Sequence, residues 1–275
     1  MSGETGRGRE EWPRLGDWAW PRPTRGALTV WLRDWTAWRK FYVSSLLAHF
    51  GEPVLSLLAL GLGLGLYVTR IQGMSFVEFM GPGLVASTAM NAVSFDLVWG
   101  GYDRLHWTRA YDAMMASPLA PEEITAGELL WQATRAVLYG GFFLLVLAAF
   151  GLVRSWWALA VLPVLALTGV IFGGPALAVA SLARAEEQLS YYFSLVVQPM
   201  FLFSGIFFPV ERLGPVVRTA AEFLPLYHVV RLCRALVTGR WTPELAPSLL
   251  ALAAFALLAA LLPVGFFRKA LERIA

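Results

Sequence analysis

The stretch Gln198-Pro199-Met200-Phe201-Leu202-Phe203-Ser204-Gly205-Ile206-Phe207-Phe208-Pro209 constrains the fold more than any other part of the chain. It closes an apolar run that begins near Leu189, and about 20 apolar residues are what a helix needs to cross the hydrocarbon core of a bilayer. Proline removes a backbone donor and crowds the preceding turn, so Pro209 is expected to stop the run. Beyond Pro209 the chain reads neither as a further span nor as an ordinary loop. Leu213, Val216, Val217, Ala220, Phe223 and Leu224 recur at helical spacing, with Arg218 and Glu222 on the other face. After Pro225 the pattern restarts, with Leu226, Val229, Val230, Cys233, Leu236 and Val237 on one stripe and His228, Arg231 and Arg234 off it. Two such helices are too polar to cross and too apolar to stand in water. They are expected to dip into the membrane interface as re-entrant helices.

Composition agrees: of 275 residues 57% are hydrophobic and only 15% charged, where soluble domains carry about a quarter. The fold class this implies is an all-α integral membrane protein. Six transmembrane helices are expected at 43–68, 78–102, 128–152, 156–182, 189–208 and 246–267, the two re-entrant helices lying between the fifth and sixth. Residues 1–26, rich in Arg, Pro, Gly and Trp, read as a disordered N-terminal tail, and 27–275 as the transmembrane domain. No apolar core of a signal peptide stands in 1–26, so the first span is expected to direct insertion. From Ala27 to Phe41 an amphipathic helix is expected, with Leu28, Trp31, Trp35 and Trp38 on one side and Arg33, Asp34, Arg39 and Lys40 on the other. It either lies flat on the membrane or packs on a soluble partner. The side that would hold both termini carries twice the Lys and Arg of the opposite side, which predicts cytoplasmic ends. Trp99, Trp107 and Trp131 would mark one interface, Trp156, Trp157 and Trp241 the other. Gly173-Gly174-Pro175 predicts a kink in the fourth span, and Gly61, Gly63 and Gly65 a close helix contact in the first.

Several kinds of chemistry are excluded. The only lysines are Lys40 before Phe41 and Lys269 before Ala270, so the Gly-Lys-Ser/Thr that cradles nucleotide phosphates is missing. Cofactors are expected to be none on this chain. His49, His106 and His228 stand apart, without paired-His or Cys ligand spacing, and no nucleophile elbow is present. The single Cys233 admits no intrachain disulfide and reads as a small buried hydrophobe. A net charge of +3 without a basic patch gives no nucleic-acid surface.

The connection from Tyr111 to Glu128 is more informative. Ser117-Pro118 and Ala120-Pro121 break it, Glu122 and Glu123 suit the first turn of a helix, and Thr125 with Glu128 has capping-box spacing. It reads as a short capped helix forming a rigid knob, or as a plain linker. Within the spans Glu52, Asp96 and Arg135 stand out, since a charge at a helix centre costs about 2.5–3.5 kcal/mol on insertion scales. Asp96 and Arg135 fall at matching depth, ~9–11 Å from one interface on consecutive antiparallel helices, and are expected to pair. Glu52 is the competing partner, and snorkelling of Arg135 the alternative. Gln198 and Ser204 are expected to hydrogen-bond between helices.

The run ending at Pro209, followed by Leu224-Pro225-Leu226-Tyr227-His228, resembles the fifth transmembrane helix and re-entrant helices of ABC-2 type transporter permeases. Within that family it is most similar to the membrane subunits of nodulation lipo-oligosaccharide exporters. The 111–128 connection is similar to the family's coupling segment, and the resemblance extends from about Leu28 to Phe267. It implies a bacterial inner-membrane exporter subunit, not itself an enzyme, working as a homodimer with two copies of a separate ATPase that binds ATP and Mg. Asp112, Ser117, Pro118, Leu119, Pro121, Glu122, Glu123, Ile124 and Glu128 would contact that ATPase. Phe203, Gly205, Phe208, Pro209, Leu224, Pro225, Tyr227 and His228 would border the way of the substrate, an amphipathic lipid-linked saccharide. A drug or antibiotic efflux permease is the alternative substrate class, and an ion-coupled secondary carrier the alternative mechanism.

Overall fold

The computed structural model describes residues 20–68, 70–243 and 245–274, apart from the side chains of residues 48, 50, 52, 62, 64, 273 and 274. Most of the segment read as a tail, and the side chain of Glu52, therefore lie outside the described residues. The described chain is helical, its one β-bridge being Ile71 with Met74. In order the helices are α1 Arg25–Gly63, α2 Phe76–Phe95, α3 Gly101–His106, α4 Ala110–Met115, α5 Pro121–Ala149, α6 Val161–Leu182, α7 Glu186–Tyr192, α8 Gln198–Phe203, α9 Pro215–Glu222, α10 Pro225–Thr238 and α11 Leu245–Ile274.

Among the described residues three helices are long and apolar enough to cross a membrane: Pro121–Ala149, Trp156–Leu182 and Leu245–Glu272. The other three expected spans are helical but interrupted. In α1 the backbone leaves helical geometry at Phe41 (φ −127°, ψ 18°), which divides the amphipathic segment from the apolar one. The helix of α2 passes through a π turn, Asp96–Gly100, into α3, and α7 passes through another, Phe193–Val197, into α8. Helix α8 ends at Phe203, ahead of the expected stop at Pro209. Gly205 is the reason: its φ of +77°, a conformation glycine adopts at little cost, turns the chain out of the helix.

Caps set several boundaries. Ser75 and Glu78 form a capping box at the start of α2, each side chain accepting the other's backbone N–H at 3.3 and 3.0 Å. At α5 only half of such a box is possible, since Ala120 has no side-chain acceptor: the Glu123 carboxylate accepts the Ala120 N–H at 3.0 Å, and Pro121 occupies the first turn. Thr125, expected in a cap, sits inside the helix and donates to the Pro121 carbonyl at 2.9 Å. The helix that starts at Pro121 is thus no short knob but runs straight on into the third span. The short helix of the connection is α4.

Helix α6 forms the centre, against α2, α5, α10 and α11. It continues through Gly173-Gly174-Pro175 as one helix, and its glycines serve close approach. A Cβ on Gly174 would stand 1.8 Å from the Ala259 carbonyl oxygen of α11, and one on Gly169 2.4 Å from the Gln132 carbonyl oxygen of α5. Of the three glycines at 61–65 only Gly61 has a close neighbour, Val77. Phe79, Met80 and Met90 of α2, Tyr139, Phe143 and Leu147 of α5, Leu165 of α6 and Phe267 of α11 fill the core.

Overpacking of a filled interior costs about 1–3 kcal/mol, and a backbone that cannot yield costs more. Gly174→Ala should therefore lower the midpoint of thermal unfolding in detergent clearly. Gly141→Ala, whose added carbon would meet only Leu162 at 3.4 Å, should leave it unchanged or raise it through helix propensity. Equal behaviour of the two variants would refute the close-approach role.

Candidate functional site

At one end of the bundle the amphipathic part of α1 lies across α5, held by an indole ladder. Trp31 stacks on Trp35 with centroids 5.9 Å apart, and both Trp35 and Trp38 meet the edge of Trp131, at 6.4 and 6.2 Å. The Trp31 and Trp38 indole N–H groups donate to Thr134 Oγ1 (2.9 Å) and Tyr139 Oη (3.1 Å). The helix thus spends its aromatic face on the protein's own α5. Leu28 points outward instead, and Asp34, placed by periodicity on the polar side, is buried. Just before α1, Arg22 N donates to the Glu122 carbonyl at 3.2 Å and the Thr24 hydroxyl to the Glu123 carboxylate. Thr24 and the Ala120 N–H thus both donate to the Glu123 carboxylate.

Beneath α1 two clusters of charge run between α2–α3 and α5. Asp96, in the π turn, lies 3.3 Å from Arg135 Nη1 and accepts from Gln132 Nε2 at 2.8 Å. Arg135 also donates to the Ala92 carbonyl at 3.1 Å and packs over the Tyr139 ring. Arg104 of α3 donates to Tyr111 Oη (3.1 Å) and reaches Glu128 Oε2 (3.3 Å), while Tyr111 donates to Glu128 Oε1 (2.9 Å). The sequence reading brought Asp96 and Arg135 to one depth. It missed Gln132, three residues before Arg135 on the same helical face, and the Arg104–Tyr111–Glu128 triad. Arg33 holds one Asp34 oxygen at 3.0 Å; the other has no hydrogen-bond partner among the described residues. Burial, and then the charge of Glu128, push the Asp34 carboxyl up to about 8.

These clusters sort the residues read as contacts for a partner. Ile124 and Glu128 are 0% exposed and Glu122 is buried, 3.5 Å from Arg268 of α11. Asp112, Ser117, Leu119, Pro121 and Glu123 are half-buried, and Pro118 is exposed. The most accessible stretch of this connection is one the sequence reading did not assign to a partner: His106, Trp107, Thr108 and Arg109, then Ala113 on the outer side of α4 and Ala116 at its end. Arg109 adopts a left-handed conformation (φ 48°) between α3 and α4. Trp107 is 69% exposed and donates to Glu186 at the start of α7.

The residues assigned to the way of the substrate hold together the segment between α8 and α11. Gly205, Pro209, Tyr227 and His228 are buried, Phe208, Leu224 and Pro225 half-buried, Phe203 exposed. His228, expected off the apolar stripe, donates from Nε2 to the Glu222 carbonyl (2.8 Å) and accepts at Nδ1 from Ser248 Oγ (3.2 Å), tying α9 and α11 to α10.

An open groove of about 280 Å³ lies elsewhere, between α1, α2 and the α7–α8 segment, lined by His49, Pro53, Thr88, Asn91, Phe95, Phe193 and Gln198. Asn91 and Gln198 make no hydrogen bond among the described residues, so the expected interhelical bond of Gln198 gives way to a place on the groove wall. Ser204 bonds within its own helix, to Met200 O. His49 donates Nδ1–H to the Ser45 carbonyl at 2.8 Å, leaving Nε2 as an acceptor. Amides and an imidazole facing open space between apolar helices suit a molecule with both polar and apolar parts.

A model of the ABC-2 type transporter family matches residues 26–238. Nodulation protein J of Rhizobium leguminosarum bv. trifolii is 36% identical over 246 residues, covering 90% of this chain and 94% of that one. Nodulation protein J of Neorhizobium galegae is 34% identical over 262 residues, 94% of this chain and 99% of its own. The inner membrane transport permease YadH of Escherichia coli (strain K12) is 20% identical over 205 residues, 74% and 78% of the two chains.

Removing one partner of a buried ion pair leaves the survivor uncompensated and typically costs about 3–5 kcal/mol. Asp96→Ala should therefore destabilise strongly and Asp96→Ala with Arg135→Ala much less than the sum of the single losses; strict additivity in thermal unfolding would deny the coupling. Asp34 gives a second expectation. Folded, it keeps its proton up to about pH 8, whereas unfolded it loses it near 3.8, so stability from this group is full in acid and is lost as pH rises through that window. Asp34→Asn should match the parent's melting temperature near pH 4 and exceed it by a margin that grows towards pH 8. A margin independent of pH would count against a neutral Asp34.

Proposed function

Because the chain belongs to the ABC-2 type transporter family, we propose that it is the membrane subunit of a bacterial exporter in which two copies of this chain work with two copies of a separate ATPase. ATP and Mg would be held by that partner, in keeping with a chain that lacks a phosphate-binding lysine motif. Six spans complete the proposal: the apolar part of α1, the α2–α3 helix, α5, α6, the α7–α8 helix and α11. The helices α9 and α10 would dip into the outer interface. The Lys and Arg excess on the side of both termini supports cytoplasmic ends in the inner membrane.

The observation that carries the export reading is the side groove. Polar groups in the middle of a membrane are expensive unless they face protein or a watery cavity, yet His49, Asn91 and Gln198 present them to an open side of the bundle. A second copy seated there would enclose a channel with polar and aromatic walls, suited to a lipid-linked saccharide whose sugars and acyl chain need different surroundings. The resemblance of the run ending at Pro209 to nodulation lipo-oligosaccharide exporters supports this substrate class over drugs. The accessible surface of residues 106–109 with α4 would receive the ATPase. Through Tyr111, Arg104 and Glu128, movement of α4 would pass to α3 and α5.

Two variants separate these roles. Ala113→Arg with Ala116→Arg, on the exposed side of α4, should abolish co-purification of the ATPase while leaving membrane insertion intact. Asn91→Leu with Gln198→Leu should leave the assembly whole but lower ATP-driven transport of a lipo-oligosaccharide in inverted vesicles about thirtyfold, at about 1 kcal/mol for each of the two hydrogen bonds lost. Undiminished transport by the second variant would remove the groove from the route.

A further inference from the structure

A second cavity, of about 270 Å³, shares no lining residue with the groove. It lies between the turn at residues 72–74, the Gly205–Glu211 connection, α10 and the start of α11. Three guanidinium groups line it, Arg231, Arg234 and Arg240, and Glu211 is the one carboxylate among the described lining residues. Arg234 donates to the carbonyls of Phe79 (3.0 Å) and Gly205 (2.7 Å), and lies over the Phe79 ring with 3.8 Å to its centroid. Arg240 donates to the carbonyls of Gln72 (2.6 Å) and Gly73 (3.2 Å), in a turn where Gln72 takes a φ of 50°. Arg231 stands over the Tyr227 ring, whose hydroxyl donates to Glu211 at 3.4 Å.

Carbonyl dipoles orient Arg234 and Arg240 without cancelling their charge. With five N–H donors to a guanidinium, each keeps three beyond the two its carbonyl partners use. Among the described lining residues Arg234 and Arg240 alone outnumber the one carboxylate, Glu211, and spare planar donors on a concave, positively charged wall are the chemistry that recognises a tetrahedral oxyanion. The surroundings indicate where that oxyanion comes from. Met74, Val210 and Leu245 give the cavity an apolar side. Next to Arg240, Trp241 meets Trp157 edge-on at 5.5 Å, both rings more than half exposed. Exposed indoles mark the depth at which lipid head groups sit. We propose that this cavity binds the phosphate of an anionic membrane lipid. The bound head group would then tie the α8–α10 connection to the start of α2 and α11.

The test uses the full-length chain in neutral detergent, with thermal unfolding followed as lipid is added. Phosphatidylglycerol should raise the melting temperature saturably, phosphatidylcholine should not, and raised salt should weaken the effect. Arg231→Gln with Arg240→Gln should increase the half-saturating concentration about tenfold, the loss expected from a charge-assisted hydrogen bond or two. Glu211→Gln, which removes the opposing charge, should decrease it severalfold, and keeps the proposal testable if the arginine variant does not fold. Equal stabilisation by both lipids, or unchanged affinity in Glu211→Gln, overturns the site. Stabilisation by inorganic phosphate with none added by phosphatidylglycerol overturns the lipid as its source.

Discussion

The backbone contact of α6 with α5 and α11 is the constraint on which the rest of the bundle depends. Apolar side chains gain little by leaving lipid tails for one another, so helices in a bilayer associate mainly where their surfaces fit closely. Gly169 and Gly174 provide that fit on two faces of a single helix, each allowing a neighbouring carbonyl to come where a methyl would stand. With α6 fixed between α5 and α11, α2 and α10 close its remaining sides. The groove is left on the flank where α1 and the α7–α8 helix meet α2.

Charge is distributed so that few ionic groups face hydrocarbon alone. Asp96, Arg135, Arg104 and Glu128 are matched across two neighbouring helices, with Gln132 and Tyr111 taking up further valences. Asp34 departs from this rule, with one oxygen unbonded beside a second buried carboxylate. It sits on the helix that the tryptophan ladder fastens to α5, beside the residues linking α5 to α4. The amphipathic helix, α4 and the start of α5 therefore form one mechanical unit.

Much of this was legible in the sequence. Hydropathy located the helices, the two short helices α9 and α10 fell on either side of Pro225, and depth put Asp96, with Glu52 as competitor, among the candidates for Arg135. The features that escaped it involved residues with two compatible readings. Glu128 and Ile124 look like the exposed side of a linker when the linker is read by itself. Only tertiary packing shows that they face α3 and the core. Gly173-Gly174-Pro175 carries the composition of a kink, and that Gly174 also admits a neighbour depends on Ala259 of α11, 85 residues away. Pro209 is the stronger helix breaker on paper, but Gly205 precedes it and takes the left-handed turn first. Asp34 obeyed its periodicity less than its neighbours' need for the outer face.

The π turn at Asp96–Gly100 has an effect beyond its own five residues. On an unbroken helix two positions eight residues apart, such as 96 and 104, are displaced by about 80° around the axis. A π turn absorbs one extra residue without the matching rotation, which brings the displacement to about 20° and sets Arg104 nearly in line with Asp96. Both side chains accordingly come within 4 Å of the space beside Gly100. On the facing helix α5 the partners Glu128 and Arg135 are seven residues apart, an unstrained two-turn interval. The inserted residue thus works as a vernier between two helices of different count, and without it only one of the two charge clusters would be in register.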